Sequence, residues 1–255
     1  MKKIITTTMA LVLAASMTAC GSIESSSKTT PGANISDETI PEKITTMTET
    51  EEETMAHIVG GWNIISGDIS PDKNANAKAA FDKAADTLCG MEYEPIAVLA
   101  TQVVAGTNYC FLCRGKATVP DAQPVIQLVY IYENLQGKAE LTNTKTIIGS
   151  EMLDGGFAAN SGDLLIENNA EVKTAFEKAT ETLTGAVLEP EAYLGSQVVA
   201  GTNYLLLCKE TASVPGAESF FSLVTLYSDL DGNASISNIS DLVFGEYDSI
   251  EENEE

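Results

Sequence analysis

Histidine is nearly absent from this chain of 255 residues, the single copy being His57. Cys/His or Ser/His catalysis therefore has little to build on, and an enzyme is not expected. Cations are also scarce. Fourteen Lys and Arg against 37 Asp and Glu leave a net charge of −23, so nucleic acid and anionic lipid surfaces are repelled rather than attracted. No glycine motif suited to cradling a phosphate is present, and the five cysteines show no metal-ligand spacing shared along the chain. Neither a cofactor nor a metal is expected. The apolar run from Ile4 to Met17 is too short to span a bilayer comfortably, and no other run approaches ~18 apolar residues.

That stretch follows Lys2 and Lys3 and precedes Met17-Thr18-Ala19-Cys20-Gly21, the layout of a secretory signal. The last five residues resemble a bacterial lipobox, with Met17 where Leu or Val is usual. The resemblance implies cleavage before Cys20, acylation of Cys20, and a chain held on the outer side of the cell membrane by lipid alone. Residues 1–19 are thus expected to be a signal peptide. Residues 20–54 are rich in Ser, Thr and Glu and poor in apolar side chains, as a disordered tether would be, and 247–255 form an acidic tail.

The part between carries a repeat. Gln102-Val103-Val104-Ala105-Gly106-Thr107-Asn108-Tyr109 recurs letter for letter as Gln197 to Tyr204. The same offset of 95 (197 − 102) aligns Gly60-Gly61 with Gly155-Gly156, Ser66-Gly67-Asp68 with Ser161-Gly162-Asp163, Phe81 with Phe176, Cys113 with Cys208, and Gly137 with Gly232. Two copies at so long a period suggest a duplicated globular domain, 55–149 and 150–246, rather than a solenoid. Each copy is expected to fold alone.

Within a copy, Ser70, Pro71 and Asp72 read as a helix start, Ala77, Phe81, Ala84 and Leu88 share one helical face, and Gly90 suits the end. Strands are predicted at Ile96–Val104, Thr107–Gly115, Val125–Tyr132 and Lys138–Ile147, with hairpins at Gly106 and Gly137. One long helix followed by an antiparallel meander predicts an α+β domain, the helix packed across a four- to five-stranded sheet.

The octapeptide after a helix and a strand resembles the cystatins, protein inhibitors of papain-like cysteine proteases. Ile58-Val59-Gly60-Gly61 is similar to that family's N-terminal inhibitory segment. Ile131-Tyr132 with Gln136-Gly137 is similar to its second hairpin, although Leu135 replaces the usual Pro-Trp and the loop is one residue shorter. The resemblance implies two tandem cystatin-like domains and a monomeric inhibitor of a host or bacterial papain-like protease. Its cleft would be occluded by Ile58, Val59, Gly60, Gln102, Val103, Val104, Ala105, Gly106 and Leu135 of the first copy. The second copy would use Leu153, Gly155, Gln197, Val198, Val199, Ala200, Gly201 and Leu230.

The residues themselves suggest a narrow apolar wedge at a tight reversal, where Gly106 permits positive φ and strand alternation turns at least one valine inward. Asp154 stands where the first copy has Val59, so the first copy is expected to bind more tightly. The alternative is a non-inhibitory binding or adhesion module of the cell surface. Cys110 and Cys113, three apart on a strand, should face opposite ways and act as small apolar residues. A bond from Cys89 to either is left open by the sequence.

Overall fold

Long antiparallel strands dominate the computed structural model, which describes residues 60–150 and 155–245. The first repeat runs β1 (Asn63–Ile64), α1 (Ala75–Ala85), β2 (Met91–Val104), β3 (Gly106–Ala117), β4 (Val125–Glu133) and β5 (Ala139–Ile148). The second runs β6 (Ala158–Ala159), α2 (Ala170–Thr180), β7 (Ala186–Val199), β8 (Gly201–Ala212), β9 (Ser219–Ser228) and β10 (Ala234–Asp241). Each repeat forms one five-stranded sheet in sequential order, β1-β2-β3-β4-β5 and β10-β9-β8-β7-β6. Residues 1–59, 151–154 and 246–255 lie outside the described residues. The expected signal peptide, tether, tail, lipidation at Cys20, and Ile58, Val59 and Leu153 fall there.

The α+β expectation of two tandem cystatin-like domains, each one long helix packed across a four- to five-stranded sheet, is overturned. Strand makes up 49% and helix 15%, and the only α-helices among the described residues are α1 and α2. Each helix is 11 residues, barely three turns. Ser70, Pro71 and Asp72 do not begin α1. Pro71–Lys73 form a 3₁₀ turn, and Asn74 precedes the helix with its amide turned back onto the carbonyls of Asp68 (2.8 Å) and Ser70 (2.8 Å). At the other end the chain leaves the helix at Asp86, well before Gly90.

The larger difference is what covers the sheets. On the outer face, Ala77, Ala80, Phe81 and Ala84 of α1 pack on Val98, Tyr109, Phe111, Cys113, Val129 and Ile131. The opposite face of that sheet is equally apolar, and the second sheet buries it. Leu99, Cys110, Leu112, Ile126, Leu128 and Tyr130 share one core with Leu194, Leu205, Leu207 and Phe221. The described residues 60–150 and 155–245 accordingly pack as four layers, helix, sheet, sheet and helix. Burial on both faces explains the unbroken apolar runs Tyr109–Cys113 and Tyr204–Cys208, where a half-solvated strand would alternate.

Polar contacts across this interface are reciprocal, their donors 95 apart and the counterpart of Ser66, Ser161, lying between the other two acceptors. Arg114 donates to the carbonyls of Asn160 (3.2 Å) and Gly162 (2.9 Å), while Lys209, its counterpart, donates to the carbonyl of Ser66 (2.6 Å). The two repeats are therefore related by an approximate twofold rotation.

Candidate functional site

The β2–β3 reversal is as tight as a strand pair allows. Val104 pairs with Gly106, leaving Ala105 alone at the turn, and β7–β8 does the same with Val199 and Gly201 about Ala200. On β2 the outer core ends at Val98 and the shared core at Ala100, so the last residues run beyond every covering layer. Both valines are consequently exposed, Val103 by 61% and Val104 by 43%, with Val198 at 78% and Val199 at 43%. Alternation sends neither inward, contrary to expectation, because no layer reaches that far up the hairpin.

Gly106 and Gly201 have a different role from the one the sequence suggests. Gly106 is buried, with φ at +132°, and a Cβ there would run into the backbone oxygen of Glu133 and stand 2.8 Å from Tyr132 Cε2. It lets β3 approach β4 closely at the base of the tip, and it is not part of the exposed wedge.

Gln102 is a brace rather than a free contact. Its amide donates to the carbonyl of Gly60 (2.8 Å) and its Oε1 accepts from Asn108 Nδ2 (2.7 Å). In the second repeat Gln197 donates to the Gly155 carbonyl, and Asn203 donates to Gln197 (2.6 Å). A second brace crosses from β4: the Tyr132 hydroxyl donates to the Ala105 carbonyl (2.5 Å), matched by Tyr227 to Ala200 (2.6 Å). Sequence reasoning missed the bracing role of Asn108, Tyr132, Asn203 and Tyr227. The signal was their exact recurrence at the common offset, Asn108 within the octapeptide itself.

The β4–β5 hairpin rises at the same end as the first tip, since β4 runs back up to pair Glu133 with Thr107. Leu135 at its turn is 78% exposed, and Leu230 is 86% exposed. The turn is held from inside by Asn134, whose Oδ1 accepts from the backbone N–H groups of Gln136 (3.0 Å) and Lys138 (3.0 Å). Asp229 serves the same way, and its hydrogen bonds from Asn233 and from the turn's backbone hold its carboxyl below the usual range. Gly60, Val103, Val104, Ala105 and Leu135 thus stand along one end of the first sheet. Gly155, Val198, Val199, Ala200 and Leu230 stand along one end of the second.

The cysteines among the described residues are all free. Cys110 faces the shared core and Cys113 the helix side, as their spacing predicts. Burial pushes both thiols well up and that of Cys208 to about 12, so none is a nucleophile near neutrality. No group of three or more metal-binding side chains occurs among the described residues. No helix among them is long and apolar enough to cross a membrane. A scan against protein-family models finds no match for this chain, and neither does a search of curated proteins.

Proposed function

We propose that this protein inhibits papain-like cysteine proteases by inserting a braced, apolar sheet end into the active-site cleft, without reacting covalently. The observation that carries the reading is the row formed by Gly60, the Val103-Val104-Ala105 tip and Leu135. Three chain segments, two of them bearing exposed apolar groups, are held at one end by hydrogen bonds that recur in the second repeat. Exposed valine and leucine have no folding benefit, and side chains projecting beyond the core suit a long, narrow cleft better than a flat partner. The resemblance of these segments in sequence to the inhibitory segments of the cystatins, apart from Leu135 and its shorter loop, supports the same reading. Because the wedge presents no nucleophile and offers mainly aliphatic surface, affinity depends on desolvating a few central groups. Lipid attachment at Cys20 would place this activity on the outer side of the cell membrane.

The test is titration of the chain against papain with a peptide substrate. Stoichiometric loss of activity is expected, and it should be relieved by replacing Val103, Val104, Val198 and Val199 together with Asp. Full protease activity at micromolar chain, with the β-sheet spectrum intact, would overturn the reading and leave a non-inhibitory docking module.

A further inference from the structure

The two wedges point to opposite ends of the packed pair of sheets. Trp62, just above β1 and near the first tip, packs edge-on against Tyr130 (5.5 Å) and against Phe244 (6.1 Å). Phe244 lies at the far end of the second sheet: Leu242 donates to the Phe221 carbonyl, and Phe221 pairs with Lys209, deep along β8. The converse contacts also hold. Ile148, at the far end of β5, lies against Gly195, which pairs with Leu205 close to the second tip. Arg114 and Lys209, both far from their own tips, reach the loops at Asn160–Gly162 and Ser66 that adjoin the other repeat's upper strands. In every case the upper part of one sheet covers the lower part of the other, as a twofold axis perpendicular to the strands requires.

From these levels the tips are separated by about fifteen residues of strand, roughly 50 Å at ~3.3 Å per residue. A globular partner of about 200 residues has a radius of gyration near ~17 Å. Two such partners approaching outward from opposite ends do not meet. Nor do the ends share parts, since Gly60, Gln102, Asn108, Tyr132 and Leu135 belong to one repeat and their counterparts to the other.

We infer that one chain holds two protease molecules at once, one at each end, without either excluding the other. This rests on the protease reading above but can fail separately from it. The experiment is calorimetric titration of active-site-alkylated papain into the full chain, with the mass of the complex read by sedimentation. Two equivalents are expected for the parent chain. One is expected for the Val103→Asp, Val104→Asp variant, one for the Val198→Asp, Val199→Asp variant, and none for the fourfold variant. All four positions are exposed, so folding is not at stake. A parent chain that binds one equivalent, while each twofold variant still binds one, shows competing ends and overturns the inference. A single equivalent abolished by one variant and untouched by the other shows one working end and overturns it equally. Both results leave the protease reading standing, whereas no binding by any form defeats the two together.

Discussion

The two repeats agree where they face outward at the tips and disagree where they face each other. The octapeptide, its Gln–Asn brace and the Tyr brace are the same in both. The inner faces have drifted into complementary sizes. Tyr130 corresponds to Thr225, Ile126 to Phe221, Cys110 to Leu205 and Ala100 to Gly195. Gly195 shows why this matters, because a Cβ there would stand 2.7 Å from Ile148 Cδ1 and also meet the backbone of Ala158. A first repeat paired with its own copy would present Ala100 at that point, and something would have to shift. The outer cores trade volume too, Ala77 with Phe111 in one and Val172 with Leu206 in the other. Shared identity at the tips and complementarity at the centre indicate a duplicated unit whose halves have become fitted to each other.

The largest effect should come from breaking that fit. Phe221→Ala removes a fully buried ring from the core that both sheets line, and is expected to cost about 3–5 kcal/mol. Both repeats should lose structure in one transition rather than the second alone. Trp62, the only tryptophan, touches both Tyr130 and Phe244 and so reports the inter-repeat contact directly. Its fluorescence and the far-ultraviolet β-sheet signal should change together with denaturant. Two separated transitions would show that the repeats fold as independent bodies, the expectation drawn from the repeat pattern alone.

Next comes the comparison of the wedges. Val103→Asp and Val198→Asp should each weaken their own end by about 1–3 kcal/mol, roughly ten- to a hundred-fold in the inhibition constant, because a carboxylate must lose its hydration in the cleft. Each change should leave the other end's affinity unaltered. The intact ends should also differ. The second carries Asp229 and Asp231 where the first has Asn134 and Gln136, and Asp154 precedes Gly155 where Val59 precedes Gly60. Against one protease the second end should be weaker, and Asp154→Val should narrow the gap. Inhibition constants for the two single-end variants that are equal within error would abolish this distinction.

A smaller effect separates bracing from contact. Gln102→Ala leaves the valine tip untouched but frees Gly60 and leaves Asn108 without its acceptor on Gln102. The loss should be about 1 kcal/mol, near five-fold in affinity at that end, carried mainly by faster dissociation. Gln197→Ala should do the same at the other. No change in either dissociation rate would mean the braces serve folding only.

How much of this was written in the sequence follows from which forces are local. The repeat, the reversal next to Gly106 and that at Gly137, the strand positions and the opposed faces of Cys110 and Cys113 all depend on neighbours in the chain, and they were legible. The helix was read too long because Ser70-Pro71-Asp72 is a good helix start in isolation. Here Asn74 takes the backbone partners of that turn instead. The face-to-face sheets were missed although their signal was present. Tyr109–Cys113 and Val125–Ile131 are nearly continuous apolar runs, which mark a strand covered on both sides. The braces at Tyr132 and Tyr227 join residues 27 apart, and spacing alone does not reveal such a contact.

The smallest effect lies at a pair that differs in charge. Ile96 packs against the shared core, and its counterpart is Glu191. Burial raises the Glu191 carboxyl above its ordinary value, opposed by nearby Lys209 and reinforced by Glu189 and by Asp68 of the other repeat. With the folded value above the unfolded one, folding favours the protonated form. That contribution is fully present below the ordinary carboxylate range near pH ~4, and it is lost as pH rises through the folded value. At neutral pH the ionised Glu191 is therefore a modest liability of the second repeat that the first lacks. Glu191→Gln should raise the melting temperature slightly at pH 7, and the gain should vanish below about pH 4, where the parent carboxyl is itself neutral. Melting both proteins across that range checks the sign. A gain equally large at low pH would assign it to packing, and a loss at pH 7 would mean that Lys209 stabilises the carboxylate more than burial disfavours it.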